Sequence, residues 1–322
     1  MIDIDNSERK MLQIIGDLCV ELGYTYNLLS YGWIIRLTHH SKSAFIFGYN
    51  FPVNSATTAA ICKDKSATSE ILNQAKIPSV EHILFMKPSD AHYVGTDGNW
   101  QHLTDLLIRH KIIVLKDNEG TGGGAVFKVQ NQHELEDVTD RVFRGHRTMA
   151  VSPFYEIKEE YRAVVLNGIV RILYQKQIPF IVGDGVHSII ALLAAEVESE
   201  RISLLDTRVD AIASSQILQS GEKYQFGWKS NLGQGAIPIA VEDSAKENSI
   251  NELALQAASA LSATFVSVDI IEEFNGTLRV LEVNSGIMLE HFASQSSRNY
   301  EKAKAVYRDA LRLMLEDNYG VQ

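Results

Sequence analysis

The chain has 322 residues, of which 45% are hydrophobic and 22% charged, a composition that fits a globular protein and argues against long disordered tails. A formal net charge of -10 excludes the basic footprint of a general nucleic-acid binder, while leaving room for a local basic pocket. Cys19 and Cys62 are too few for a disulfide framework or a CxxC metal site, the N-terminal stretch MIDIDNSERKMLQ lacks an apolar signal core, and no uncharged apolar run reaches ~18 residues, so a reduced, cytoplasmic compartment and no membrane span are expected.

In chain order, Ser7 to Leu22 carries Leu12, Ile15, Leu18 and Cys19 on one stripe and predicts a helix. Two short strands follow, Trp33–Leu37 and Ala44–Phe47. A helix over Lys65–Ala75 stops before Ile77-Pro78, where proline forbids continuation. Residues Lys87–Trp100 read as a linker or mobile loop. Lys111–Lys116 (KIIVLK) reads as a buried strand, Gly120–Gly124 (GTGGG) as a glycine loop and Ala125–Val129 as the next strand. Asn131 with Glu134 three residues on makes a capping-box pattern for a helix. Met149–Phe154, Tyr161–Leu166 and Ile169–Gln175 are strand-like, the last two joined by the hairpin dipeptide Asn167-Gly168. Helices are expected around Ile189–Glu198, Asn251–Ser262 and Tyr300–Leu315, with a hairpin over Phe265–Asn284. Helices interleave with hairpins rather than with regular βαβ units, which predicts an α+β fold.

The last hairpin carries the sharpest chemical signal. Its sequence is FVSVDIIEEF-NG-TLRVLEVN, and Asn275-Gly276 suits a type I′ turn. With a two-residue loop, Asp269 stands across from Glu282, Asn284 shares their face opposite Ser267, and Val268, Ile270, Leu281 and Val283 point the other way. Two opposed carboxylates repel, and a bound cation removes that penalty. Carboxylate and amide oxygens are hard donors that suit Mg²⁺ bridging to nucleotide phosphates. A solvent-facing polar strip is the plainer alternative. It accommodates Glu272 opposite Arg279, but it accommodates Asp269 and Glu282 poorly beside apolar Ile271 and Val280.

The glycine loop lies between two strands. No Gly-Lys-Ser/Thr follows and no helix begins there, so it is neither a Walker A loop nor a Rossmann fingerprint. A β-loop-β rich in glycine can fold over phosphates and offer unobstructed backbone N–H groups, with Lys116 in reach; a plain hairpin tip is the alternative.

The order Lys65 before a helix, Lys116 before the glycine loop, Glu160-Tyr161-Arg162, then Asp269 and Glu282-Val283-Asn284 resembles the ATP-grasp superfamily. Within it, the pieces FPVNSATTAAICKDKSATSEIL, VLKDNEGTGGGAVF, EEYRAVVLNG, VGDGVHSI and VDII…LRVLEVNSGI are most similar to the ligase domain of cyanophycin synthetases and of bifunctional glutamate–cysteine ligase/glutathione synthetases, over about Phe51 to Phe292. The resemblance implies two α+β subdomains clasping ATP, one with a glycine-rich lid over 63–150 and a C-terminal one with the metal site over 151–322, preceded by a short α/β N-terminal domain over 1–62. Asp117 stands where the family has proline. The chain is too short for either relative's additional domain, and so reads as a free-standing ligase core.

By the same resemblance, Lys65 and Lys116 bind ATP phosphates and nucleobase, Gly122, Gly123 and Gly124 cover the phosphates, and Ser152–Tyr155, with Phe154, forms the hinge against adenine. Glu159 or Glu160 lies near ribose. Asp269, Glu282 and Asn284 hold two Mg²⁺ ions, with Mn²⁺ as a substitute, and Arg162 stabilises an acyl-phosphate and the tetrahedral intermediate. Lys176 either touches phosphate or lays its stem on apolar surface. Gly183-Asp184-Gly185 is either a tight turn or a substrate loop, and Asn231 falls in a loosely matching loop (NLGQG). Arg298 either grips an acceptor carboxylate or is an exposed residue at a helix start. His291 follows the metal motif and is at most a supporting residue; His39-His40 has no zinc-type spacing, and Trp33, Trp100 and Trp228 read as packing. The function implied is an ATP-dependent carboxylate–amine ligase acting on an amino acid or short peptide, with no nucleic-acid or membrane partner and a homodimer as one assembly. A nucleotide-binding regulatory module and a phosphotransferase on the same fold are the alternatives.

Overall fold

The computed structural model describes residues 9–93, 99–120, 125–178, 180–198, 214–225 and 236–316. In chain order its main elements are α1 (Lys10–Leu22), β1 (Thr25–Leu29), β2 (Ile34–His39), β3 (Lys42–Phe47), α2 (Ala56–Lys63), α3 (Lys65–Gln74), β4 (Ile83–Met86), α4 (Trp100–His110), β5 (Ile113–Asp117), β6 (Val126–Val129), α5 (Gln132–Gly145) and β7 (Thr148–Pro153). There follow β8 (Ile157–Leu166), β9 (Ile169–Gln177), β10 (Phe180–Val182), α6 (Ile189–Glu198), β11 (Lys223–Gln225), β12 (Ile237–Ile239), α7 (Ser244–Ala260), β13 (Phe265–Glu273), β14 (Leu278–Asn284), α8 (Glu290–Ser294) and α9 (Ser297–Leu315).

The strands form antiparallel sheets ordered β1-β2-β3, β4-β7-β5-β6 and β12-β9-β8-β13-β14, with β10 and β11 as a separate pair. Separate helices combined with antiparallel sheets make the α+β class expected from the sequence. No described helix is long and apolar enough to cross a membrane.

Period-two alternation in the five-stranded sheet decides where the polar groups go. On one face, Tyr161, Ala163, Val165, Val266, Val268 and Ile270 are buried under α7, through Ile250, Ala254 and Ala257. The other face changes character along its length. At one end, Val164, Leu166, Ile172, Tyr174 and Phe265 are covered by α1 and α9. At the other, the same rows continue as Glu160, Arg162, Lys176 and Asp269, which line an open cavity. In the four-stranded sheet, Ile113 and Leu115 face the helices α4 and α5, whereas Val114 and Lys116 face the cavity.

Several elements depart from the sequence reading. Helix α4 begins where a linker was expected: Asn99 caps it by accepting from the His102 N–H at 2.8 Å, and Leu103, Leu106 and Leu107 are buried. A 3₁₀ turn occupies Pro88–Tyr93. Strand β1, helix α2 and the short edge strands β4 and β12 were also not anticipated. Two local signals are realised closely. Asn131 accepts from the Glu134 N–H at 3.0 Å, the Glu134 carboxylate reaching back to the Gln130 N–H rather than that of Asn131, and Asn167-Gly168 takes left-handed φ values of 52° and 73°, the type I′ geometry.

Candidate active site

A cavity of about 580 Å³ lies between the four-stranded and five-stranded sheets. The hairpin that carries Asp269, Glu282 and Asn284 forms part of its wall. Asp269 is opposite Glu282 and Ser267 opposite Asn284, but not through a two-residue loop. Glu273 and Thr277 close a loop of Phe274, Asn275 and Gly276, with Gly276 at φ 84°. This extra residue would by itself turn Glu282 away from Asp269. A β-bulge at Leu281 adds a residue to β14 and cancels the offset, since Ile270 pairs with Val280 while Asp269 pairs with Glu282. Two expectations are therefore corrected. Leu281 lines the cavity and Val280 is in the core. Arg279 stands opposite Ile271, not Glu272; it pairs with Glu273 at 2.7 Å, while Glu272 pairs with Lys158 and Lys246 behind the sheet.

Asp269 is 1% exposed and sits in a dense ionic cluster. Arg162 donates to it through Nε and Nη2, both at 2.6 Å, and the Lys176 ammonium lies 3.0 Å away. Lys176 also donates to Glu160 at 2.5 Å. Burial works against the Asp269 carboxylate, but Arg162 and Lys176 outweigh it and hold its pKa well below the usual range. Burial likewise opposes charge on Lys176, and Arg162 repels it; Asp269 and Glu160 overcome both, and the ammonium is held above the ordinary lysine value. Burial pushes the Glu160 carboxyl up, against the pull of Lys176. Asn284 donates Nδ2–H to Glu282 Oε1 at 3.1 Å.

Facing this cluster are two lysines. Lys65 opens α3, whose N-terminus is capped by Asp64, and its ammonium donates to the Gly120 carbonyl at 2.5 Å. The segment after β5 is tied to the same helix start, because the Asn118 side chain accepts from the Ser66 N–H at 3.1 Å. Lys116 is buried, 3.1 Å from His82 Nε2. Its pKa is lowered to about 8, first by burial, with Glu282 opposing and Lys65 assisting the shift. Burial and the Lys116 charge together push the His82 imidazole well below its usual value, so the ring is neutral. Two ammonium groups at the cavity wall are thus an opening for an anion.

The cavity also gathers Ser152, Phe154 and Tyr155 at the β7–β8 junction. Lys128 lies 3.9 Å from the Phe154 ring centroid and Arg279 5.4 Å from that of Tyr155. Of the neighbouring glutamates, Glu160 faces the cavity, whereas Glu159 lies on the opposite face and pairs with Lys246 and the Tyr161 hydroxyl. Gly183, Asp184 and Gly185 lie outside the cavity wall, in a turn where Asp184 accepts from the Val186 and His187 N–H groups. Arg298, in the first turn of α9, is exposed and also outside the wall, as is His291. Gly122, Gly123, Gly124, Asn231 and Trp228 lie outside the described residues.

Some residues at or just behind the cavity wall had no readable role in the sequence. His82 is a lone histidine with no spacing signal. Trp33, expected to pack, is 45% exposed and lines the cavity with Phe47, Tyr49 and Met288. The only sequence clue was the aromatic density of FIFGYNF, ahead of the first motif.

Residues 195–306, which include Asp269, Glu282 and Asn284, match the family model of a RimK-like ATP-grasp domain. No curated protein matches the chain in sequence. Among solved structures, a bifunctional glutathione synthetase from Pasteurella multocida is similar, with 18% identity and a TM-score of 0.57, over 94% of this chain and 44% of that one. A D-alanine–D-alanine ligase from Bacillus anthracis is similar with 17% identity and a TM-score of 0.51, over 82% of this chain and 69% of that one. The same enzyme complexed with ATP gives 18% identity and a TM-score of 0.50, over 82% and 68%. The chain spans less than half the length of the glutathione synthetase it matches. These likenesses, with the two sheets facing each other across one cavity, make the fold ATP-grasp, with a RimK-like ATP-grasp domain matched over residues 195–306.

Proposed function

We propose that the chain is an ATP- and Mg²⁺-dependent carboxylate–amine ligase that activates its acid as an acyl-phosphate and releases ADP and phosphate. The observation that carries this reading is the convergence on one cavity of Asp269, Glu282 and Asn284 with Lys65, Lys116 and Arg162. The B. anthracis ligase of like fold was solved complexed with ATP.

The donor set fits Mg²⁺. Asp269 is held ionised, Glu282 stands directly across from it, and Asn284 adds an amide oxygen on the same wall. These three residues would hold the metal, two ions by the family resemblance, with Mn²⁺ as a substitute; bound there, it would neutralise phosphate charge. Lys65 and Lys116 face the phosphates, Ser152–Tyr155 the adenine, and Glu160 the ribose side. Arg162 exchanges its bond to Asp269 for the anionic reacting group, and Lys176 helps to keep Asp269 charged. By the family resemblance, Gly122, Gly123 and Gly124 would cover the phosphates and keep out water, which would otherwise hydrolyse the acyl-phosphate. In this reading residues 1–62, 63–150 and 151–322 are the three functional parts, the partners are a small carboxylate and a small amine, and the compartment is cytoplasmic.

The test is ADP release by purified protein with Mg²⁺ over a panel of acids and amines, with product masses. An amide product supports the ligase. A stable phosphorylated product makes the protein a phosphotransferase, and binding without turnover makes it a nucleotide-binding module.

A further inference from the structure

Strand β14 runs across the cavity and orders what lies along it. Near its start, Arg279 sits over Tyr155 of the adenine-side hinge. Its later residues Glu282 and Asn284 carry the proposed metal ligands. Just beyond its end, Gly286 bridges to Asn50, and the Ile287 N–H donates to the Tyr49 carbonyl at 2.9 Å. Arg279 and Gly286 are roughly 20 Å apart along extended chain. The N-terminal sheet therefore meets the cavity on the side of the metal ligands away from the hinge, where the part of the substrate beyond the γ-phosphate would lie.

This end is apolar. Trp33, Phe47 and Met288 line it and remain 45%, 57% and 41% exposed. Trp33 meets Phe47 and Tyr49 edge-on, with ring centroids 6.3 and 6.1 Å apart. The Arg9 guanidinium lies 5.1 Å from the Trp33 ring and 4.9 Å from Tyr49, and donates to the Gly32 and Gly48 carbonyls at 2.8 and 3.2 Å. The aromatic wall is thus braced by Arg9 through both loops that carry it. Gly48 at φ 59° brings the backbone against Trp33, since a Cβ there would stand 3.0 Å from the indole. The other residues lining this end, Gly48, Asn50, Ser285 and Gly286, are neutral, and the cavity's charged side chains belong to α2, α3, β5, β8, β9, β13 and β14. The charged groups nearest this end, Arg9 and Glu290, do not line it and are engaged with the Gly32 and Gly48 carbonyls and with the Tyr49 hydroxyl and Met11 N–H, so a charged substrate group would lose water here for little return. An apolar group would gain about 25 cal/mol per Å² buried.

We infer that this aromatic end is a specificity subsite for a bulky apolar side chain, aromatic or branched aliphatic, on the carboxylate substrate. The inference rests on the ligase reading. The test uses hydroxylamine as the nucleophile, which traps the acyl-phosphate as a hydroxamate whatever the natural amine. Both enantiomers of phenylalanine, tryptophan and leucine are compared with glycine, alanine, glutamate and lysine in the presence of Mg²⁺-ATP. ATP binding is titrated separately with a fluorescent ATP analogue. The expected result is a preference for a bulky apolar acid. Trp33→Ala and Phe47→Ala should raise its KM on the order of 30-fold while the KM for ATP stays within about twofold. Trp33→Phe should retain most of the preference, which separates recognition from loss of folding. Analogue binding with hydroxamate formed only from small or charged acids, or an unchanged KM in both alanine variants, would overturn the subsite alone. Failure of the wild type to bind the analogue, or binding with no hydroxamate from any acid, would overturn the ligase reading beneath it.

Discussion

Asp269 and Glu282 stand opposite each other on one hairpin, yet their removal should have unequal effects on stability. Asp269 is the anion between Arg162 and Lys176, and Glu160 is the second carboxylate of the cluster. Arg162 and Lys176 share the Asp269 carboxylate, whose charge offsets theirs, while burial raises the pKa of Glu160. Asp269→Asn keeps the side-chain volume but leaves one buried positive charge uncompensated. Losing one partner of such a buried pair costs about 3–5 kcal/mol. At about 2 °C per kcal/mol for a chain of this size, the melting temperature should fall on the order of 6–10 °C. Glu282 is only half-buried and accepts from Asn284, a bond that glutamine can keep, so Glu282→Gln should cost under about 1 kcal/mol. Both substitutions remove a proposed metal ligand and should lower ADP release by on the order of 100-fold or more. Melting is measured without nucleotide or Mg²⁺, and turnover is measured on the same preparations. The pH dependence adds an internal check. A carboxylate pKa depressed by folding contributes stability that is fully present above its unfolded value of about 4 and is lost as pH falls through the folded value. The gap between wild type and Asp269→Asn should therefore be constant from pH 6 to 8 and narrow only below about pH 4. Equal melting losses in the two variants, or a wild-type melting temperature in Asp269→Asn, would refute the account of the cluster.

Three further outcomes can be measured. Lys116, with its pKa lowered to about 8, should lose its proton in the apo protein as pH rises through that value, so affinity for ATP should weaken above about pH 8. Between pH 8 and about 10.5 the unfolded chain holds the proton longer, so this group's contribution to apo stability should rise over the same window; an ATP titration flat from pH 6.5 to 9.5 would count against Lys116 as a phosphate contact. The buried Tyr307 hydroxyl donates to the Ile287 carbonyl at 2.9 Å and accepts from the Leu289 N–H at 3.3 Å, so Tyr307→Phe should destabilise by about 1–2 kcal/mol and speed amide exchange at Leu289. Cys19 and Cys62 are both buried and free, with thiol pKa values raised by burial to about 12 and about 11, so iodoacetamide at pH 8 should modify neither until the protein is unfolded.

Much of the site was legible because it depends on local rules. Alternation along EYRAVVL puts Arg162 and Glu160 on one face, a choice between Glu159 and Glu160 that the family resemblance left open, and Asn167-Gly168 sets the turn beside them. Lys65 and Lys116 were readable as the residues flanking a helix start and a glycine loop. What remained hidden depends on contacts between distant segments. Nothing local ties His82 to Lys116, 34 residues apart, or the aromatic turn at Gly48 to the end of β14, which lies in the distant C-terminal part of the chain. Helix α4 was missed because Asn99 and Trp100 close a polar stretch that masks the amphipathic start.

The metal hairpin shows a third case, in which the correct pairing was reached through an incorrect turn. A two-residue loop with a regular ladder and a three-residue loop with one bulge place the same residues opposite each other at Asp269. They differ between the turn and the bulge. There the regular ladder buries Leu281 and exposes Val280, whereas the bulged one does the reverse. The bulge therefore does more than restore register. It turns two consecutive residues, Leu281 and Glu282, toward the same cavity, which an unbroken strand cannot do. An apolar side chain and a proposed metal ligand are thus adjacent in sequence and in space, next to the hinge on one side and Asn284 on the other. That combination suits a strand spanning from an apolar base to a charged phosphate.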